Sequence, residues 1–317
     1  MLKNNIEIMD ADLVLKHQDV LLLIDYWKKT LGIMMGWHYD LDFIWILNNL
    51  SALSLRKGQV IVDAGAGNGL LQFLLASRGY NILSLDYADR HWPPGSSRIF
   101  KMRKREHFNE QTYRYQRFMT YPRDEILTRD KLIKGIRNPA AVLQVANERY
   151  GHYLNLSYWM EVLKRRINEY GSIDYIKIDF NNMAQIEDKS VDCIVSVSAI
   201  EHNGHDDIKK AVREFERILK DGACMIVTTS AAKGHDWYFK ACEGWCFASE
   251  SLKELFDMKA CDDNYDRYDE FLDKLRNSDV IKKRIARGYF RSGDNGLPWG
   301  ICEPKYQPVG IVKRAGS

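Results

Sequence analysis

Three glycines, Gly65, Gly67 and Gly69, follow the apolar run Val60-Ile61-Val62, with Asp63, Ala64, Ala66 and Asn68 set around them. Glycine lets a backbone turn sharply and lets a ligand approach it without meeting a Cβ. The run before the loop is of strand type. The apolar segment after it, Leu70 to Ser77, is of helix type and presents unpaired N–H groups at its start. A second strand-like run, Asn81 to Leu85, ends at Asp86. A carboxylate in that place can accept hydrogen bonds from both hydroxyls of a ribose. Strand, glycine turn, helix and strand make a βαβ unit, and its chemistry is that of a binder of an adenosine-type ligand.

Spacing separates the ligands of this kind. A dinucleotide loop reads Gly-x-Gly-x-x-Gly and sets a diphosphate on the helix N-terminus. Here the spacing is Gly-x-Gly-x-Gly, preceded by Asp63. A carboxylate beside the loop repels a diphosphate and helps to hold an ammonium group. A ligand with an adenosine end and an amino acid end fits better than NAD.

The pattern resembles the class I methyltransferases that use S-adenosylmethionine, and the glycine loop resembles their first motif. Downstream segments extend the resemblance. Asp179, with Phe180 beside it, matches the acidic position that holds the adenine amino group in that family. Val191 to Val197, followed by Ser198-Ala199-Ile200-Glu201-His202, is similar to the fourth motif, where the strand end lies near the methionine part of the cofactor and the substrate. Glu214 to Gly222 is similar to the helix and turn that lead into strand five. The resemblance covers residues 60–90 and 172–230, under half of the chain. It implies S-adenosylmethionine as cofactor and S-adenosylhomocysteine as product. The implied cofactor residues are Asp63, Gly65, Ala66, Gly67, Gly69, Asp86, Tyr87, Asp179, Phe180 and Ser196, with Tyr39 closing over the cofactor from the N-terminal segment. Loss of the Asp86 carboxylate in Asp86→Ala is expected to weaken cofactor binding by about 1 to 3 kcal/mol, measured by calorimetry. Unchanged affinity would remove Asp86 from the site.

Methyl transfer asks for a nucleophile placed in line with an already activated methyl group, and a hydroxyl nucleophile also needs a base. His202 is the first candidate base, with His205 on the same rim and Glu201 placed to orient the histidine or line the methionine pocket. The competing reading of His202 is a structural residue bonded to a neighbouring loop. Glu201, His202, His205, Asp206 and Asp207 also make a metal-like cluster, but neighbouring residues on a loop often diverge, so no metal site is assigned. Tyr39 reads either as a lid or as an aromatic anchor between helices. Cys242 and Cys246 lack zinc-knuckle spacing and read as buried thiols. Trp237, Tyr238 and Trp245 could wall a substrate pocket or pack in the core, and Trp299, in a turn-rich segment, could fold back as a lid.

The elements that must position these residues follow from periodicity. Residues 1–58 read as helices packed on a methyltransferase domain over 59–317, an α/β fold with a mostly parallel sheet of about seven strands. An insertion at about 90–171 interrupts the alternation between strands two and three. It shows no clear strand, two weak helical patterns (Pro139 to Arg149 and Tyr158 to Tyr170), and 17 Lys/Arg against 8 Asp/Glu between Arg90 and Tyr170. Tyr113, Tyr115, Phe118 and Tyr121 interleave with Arg114, Arg117 and Arg123 there. Stacking with phosphate contacts is how single-stranded nucleic acid is held, but the pI of 8.4 falls below the usual footprint of such proteins. An anionic small molecule or glycan end would use the same residues with fewer charges.

The 317 residues are 45% apolar and 28% charged, which excludes a disordered chain. The run Val20 to Ile24 is far too short to span a bilayer, and no signal-peptide pattern opens the chain. Six cysteines in a chain this long need no pairing and point to the cytoplasm. The function expected is O-methylation of a small molecule, sugar or glycan. The alternatives are an RNA methyltransferase and a non-catalytic member that binds the cofactor or a partner protein.

Overall fold

A computed structural model of the chain describes residues 2–105, 150–284 and 303–316, apart from 34, 89, 91, 166 and 241. It opens on strand β1 (Asn5–Ile8) and helices α1 (Leu13–Lys16), α2 (Gln18–Leu31) and α3 (Tyr39–Ser51). The glycine unit follows as β2 (Val60–Ala64), α4 (Leu71–Ser77) and β3 (Asn81–Asp86). Then come β4 (Lys101–Arg105), α5 (Leu156–Lys164), β5 (Ser172–Lys177), β6 (Val191–Val197), α6 (His205–Ile218) and the long β7 (Leu219–Ala231). A hairpin of β8 (Trp237–Phe239) and β9 (Gly244–Phe247) leads to α7 (Ser249–Leu255), β10 (Asp262–Asp263), α8 (Tyr268–Asn277), α9 (Asp279–Arg284) and β11 (Gln307–Arg314).

The strands form one sheet of eleven, where about seven were expected, in the order β10-β1-β11-β7-β6-β2-β3-β5-β4, with β9 on β7 and β8 on β9. Its centre is parallel: β2 pairs with β3 on one side and β6 on the other. From β2 the chain first builds outward through β3 and β5, then crosses back to lay down β6 and β7. The strand order therefore reverses between β2 and β6. In open α/β sheets a crevice forms at such a point, outside the carboxyl ends of the strands.

Sheet residues alternate between two apolar layers, as the period of two demands. Ile61, Ile82, Cys193, Val195 and Ile226 face a layer built from the first four helices and from Phe100 and Tyr158. Val62, Leu85, Ile194, Met225 and Val227 face the other layer. There α6 buries Ile208, Ala211, Val212, Phe215 and Ile218, one stripe at helical spacing. Both faces of the parallel centre are thus covered, which is why its strands read as unbroken apolar runs.

Two strands depart from the sequence expectation. The first sixty residues read as helical, yet β1 adds to the sheet antiparallel to β11. Only Ile6 and Ile8 alternate in it, too few to show a period. Within the expected strandless insertion, β4 pairs parallel with β5. Its sequence, Lys-Met-Arg-Lys-Arg, has no apolar alternation. What holds it is charge: Arg103 Nε at 2.7 Å and Arg105 Nη2 at 2.5 Å meet the buried carboxylate of Asp174 on β5. The helical pattern at Pro139 to Arg149, the aromatic-basic stretch at Tyr113 to Arg123 and Trp299 lie outside the described residues. The other expected helix of the insertion is α5, which ends at Lys164. The described cysteines, Cys193, Cys224, Cys242, Cys246 and Cys261, are all free thiols. Among the described residues no helix is long and apolar enough to cross a membrane.

Candidate active site

The glycine loop is stitched to the end of β3. Gly65 N–H and Ala66 N–H both donate to the Leu85 carbonyl, at 2.9 and 3.0 Å, and Gly67 N–H donates to Asp86 Oδ2 at 2.7 Å. The other Asp86 oxygen accepts from Ala88 N–H at 2.8 Å. Each carboxylate oxygen has a second lone pair, so Asp86 can hold the loop and still accept from a ligand. The end of β5 is tied in as well, since Ile178 N–H donates to the Asp86 carbonyl. Asp179 is the next residue, with its Oδ1 accepting from Asn181 N–H at 2.9 Å.

Gly65 sits at φ +71°, and a Cβ there would lie 2.3 Å from the Cβ of Ala199 and 3.5 Å from the Phe180 ring. The loop after β2, the turn after β6 and the segment after β5 therefore meet at one place. Gly67, at φ +50°, differs: a Cβ there would meet nothing within 4 Å. Gly69 closes the turn with its N–H on the Ala66 carbonyl. Tyr87, half exposed, follows Asp86 at the rim.

Asp63 ends on the face covered by the first four helices and is buried. Burial is the main cause that pushes its carboxyl pKa up to about 7, with the Arg90 guanidinium pulling it down and Asp86 pushing it up. Arg90, also buried, has its guanidinium 4.7 Å over the Tyr175 ring. Sequence reading missed it, because a lone arginine at the head of a basic stretch reads as a solvated charge.

The turn after β6 carries the second set of groups. Ser198 stands at φ +45°, and among the described residues its buried hydroxyl has no partner; nor has the buried Asn68 Oδ1 of the glycine loop. Glu201 is buried and accepts from Thr229 Oγ1 at 3.1 Å. Burial raises its pKa, while the charges of His202 and His38 lower it. His202 is exposed and its Nδ1 lies 3.0 Å from the Glu243 carbonyl. A carbonyl only accepts, so Nδ1 carries the proton and Nε2 is the acceptor nitrogen of the neutral ring.

His38, just before α3, was not singled out from the sequence. It is buried with its Nδ1 2.5 Å from Asp42 Oδ2, and its ring packs against Trp37, Tyr39 and Tyr306. Tyr39 itself stacks on Phe43 at 6.0 Å. Tyr39 also lies next to His38, with ring centroids 4.8 Å apart.

Two expected site residues are drawn elsewhere. Ser196 Oγ is buried and donates to the Ala64 carbonyl at 2.8 Å, so it braces β6 against β2 instead of facing the crevice. His205 opens α6 and turns to the hairpin, where its Nε2 lies 2.7 Å from Asp236 Oδ2 and its ring packs against Trp245. Asp236 Oδ1 in turn accepts from Ala248 N–H. His205 thus pins helix to hairpin through Asp236 and Trp245. Trp237 and Phe239 pack together, and Phe239 reaches Tyr306. Tyr238 packs on Trp245. The cluster of Glu201, His202, His205, Asp206 and Asp207 diverges, and among the described residues no three such groups converge on a point that could hold a metal ion.

Among the described residues, Ser198 Oγ and Asn68 Oδ1 are buried without partners, a Cβ at Gly67 would meet nothing within 4 Å, and Asp63 feels the Asp86 carboxylate. A family model described as methyltransferase domain matches residues 138–227. Comparison with curated protein sequences gives no match. Among solved structures, the chain is similar to phosphoethanolamine N-methyltransferase 2 of Haemonchus contortus, at 13% identity and a TM-score of 0.44, over 96% of this chain and 59% of that one. It is also similar to geranyl diphosphate C-methyltransferase of Streptomyces coelicolor, at 12% identity and a TM-score of 0.41, over 87% and 77% of the two chains. A methyltransferase of Methanosarcina mazei gives 12% identity and a TM-score of 0.39, over 85% and 96%. The matched stretch runs through β5, β6 and most of β7, so over residues 138–227 the chain is similar to methyltransferase domains, and the glycine loop stitched to Asp86 lies in the same sheet.

Proposed function

We propose that the chain transfers the methyl group to a hydroxyl of a small-molecule acceptor seated between the turn after β6 and the N-terminal segment, with His202 as the base. The observation that supports this reading is the 3.0 Å contact of His202 Nδ1 with the Glu243 carbonyl: in the neutral ring it puts the proton on Nδ1 and leaves Nε2 as the acceptor, on the turn after β6. A hydroxyl needs such a group when it attacks.

S-adenosylmethionine, when bound, supplies the activated methyl. In this reading Asp86 takes the ribose hydroxyls and Asp179 the adenine edge, and Phe180 lies close to the loop at Gly65. Asp63 favours an ammonium group once ionised. Ser198 and Asn68 offer polar atoms that the fold leaves unmatched. Glu201, close to both His202 and His38, sets the charge around the proton acceptor. The described basic strand β4 lies three strand spacings from β2, about 14 Å away. Its charge is thus remote from the crevice, which favours a small acceptor over a nucleic acid strand.

The test is methyl-labelled cofactor with panels of alcohols, phenols, sugars and amines. Label is expected on oxygen. His202→Gln is expected to lower turnover by about 100-fold or more at unchanged cofactor affinity. Label on nitrogen alone, or parental turnover in His202→Gln, overturns the reading.

A further inference from the structure

The Gly67 peptide is gripped at both ends. Its N–H donates to Asp86 Oδ2 at 2.7 Å, and its carbonyl accepts from Arg90 Nη1 at 3.0 Å. The same Nη1 donates to Ser84 Oγ at 2.7 Å, and Nη2 donates to the Ser84 carbonyl at 2.6 Å. Ser84 is itself braced, its hydroxyl donating to Gln72 Oε1 of α4 at 2.8 Å. One guanidinium thus joins the tip of the glycine loop to β3 and, through Ser84, to the helix that follows the loop. The fork is rigid and planar, whereas an ammonium is a compact charge on a flexible stem and is not pre-organised for oxygens set along a fork.

Hydrogen bonds to three neutral oxygens do not by themselves call for a charge. Burying a guanidinium is costly unless other charges offset it. Arg90 is 6% exposed, and the groups that act on it are the carboxylates of Asp86 and Asp63 and the Tyr175 phenol. Asp63 in turn feels Arg90 and Asp86. The arginine clamps the tip of the loop through these bonds, and its charge acts on the carboxylates of Asp63 and Asp86.

We propose that Arg90 is a positioning residue of the cofactor site: it fixes the Gly67 peptide from the carbonyl side while its charge lets the Asp63 and Asp86 carboxylates coexist beneath the loop. It acts through the loop and through Asp63, and does not touch the reacting atoms. The proposal rests on the reading that this loop holds S-adenosylmethionine.

The experiment measures S-adenosylmethionine affinity by calorimetry from pH 6 to pH 9 for the full chain, Arg90→Met and Arg90→Lys. Ionisation of Asp63 favours the cationic end of the ligand, so affinity in the parent rises with pH through about 7. The ligand's own titration is common to all three proteins and cancels. Arg90→Met keeps the packing on Tyr175 and loses the charge. It is expected to weaken binding by about tenfold or more and to move the midpoint of the rise up by about one pH unit. Arg90→Lys is expected to keep the midpoint and to recover only part of the affinity. An Arg90→Met protein that merely melts lower, with parental affinity and midpoint, overturns the proposal. If Arg90→Met does not fold, Arg90→Lys decides: weaker binding at an unmoved midpoint supports the clamp, and parental affinity overturns it. A parent chain that binds no S-adenosylmethionine at any pH overturns the cofactor reading and the proposal together.

Discussion

Gly65→Val is expected to leave a chain that no longer binds cofactor and unfolds far more easily. Two costs add. At φ +71° a side chain is disfavoured by about 1 to 2 kcal/mol. The new Cβ would also stand 2.3 Å from the Ala199 Cβ, forcing the loop after β2 away from the turn after β6, and overpacking of this kind costs about 1 to 3 kcal/mol. Together they predict a loss of about 2 to 5 kcal/mol in urea unfolding. Affinity should fall more than 100-fold, because the displaced loop carries the Gly67 peptide with it. Gly67→Ala is the informative contrast. Its Cβ meets nothing within 4 Å, so only the left-handed backbone costs stability, about 1 to 2 kcal/mol, while the methyl group enters the space assigned to the ligand and cofactor affinity drops. Equal losses of stability and equal affinities in the two variants would contradict this geometry.

Asp63→Asn is expected to make the ligand-free protein more stable above pH 7 and a poorer binder. The folded pKa of Asp63, about 7, lies above its unfolded value, roughly 3.9. The stabilising protonated form is fully present below about pH 4, and its contribution is lost as pH rises through 7. At pH 8 the folded chain carries a buried carboxylate that costs on the order of 4 kcal/mol. Asparagine keeps the shape and removes this dependence. Urea midpoints from pH 5 to pH 8.5 should therefore diverge, with the variant ahead at the alkaline end and the two proteins alike near pH 4. Cofactor affinity at pH 8 should fall about ten- to 100-fold in the variant. A variant that binds like the parent would mean that the carboxylate serves the fold and not the ligand.

What the sequence made legible and what it hid divide along a physical line. The glycine loop, Asp86 and the runs of β2, β3, β6 and β7 are visible because local backbone chemistry and burial on both faces restrict the residue types there. Positions set by one residue of register were harder. Ser196 is expected in the cofactor site, one residue before β6 ends at Val197. Ser196 is bonded inward to Ala64, and Ser198 just beyond the strand is left without a partner. His205 was paired with His202 by spacing, yet the start of α6 turns it toward Asp236. Arg90, His38 and Asp42 owe their places to contacts across the fold. Nothing in their immediate sequence shows that an arginine will fold back over Tyr175, or that a histidine before α3 will act on a glutamate after β6. The strand β4 is hidden for the same reason, since its register is held by Asp174.

The central claim is that the cradle between β2 and β6 takes S-adenosylmethionine. Calorimetry of the purified chain with S-adenosylmethionine, S-adenosylhomocysteine and NAD tests it most directly. Binding of both sulfur ligands at one site per chain, with no heat from NAD, is the result predicted. Binding of NAD without the sulfur ligands would contradict the account and remove every catalytic role assigned here.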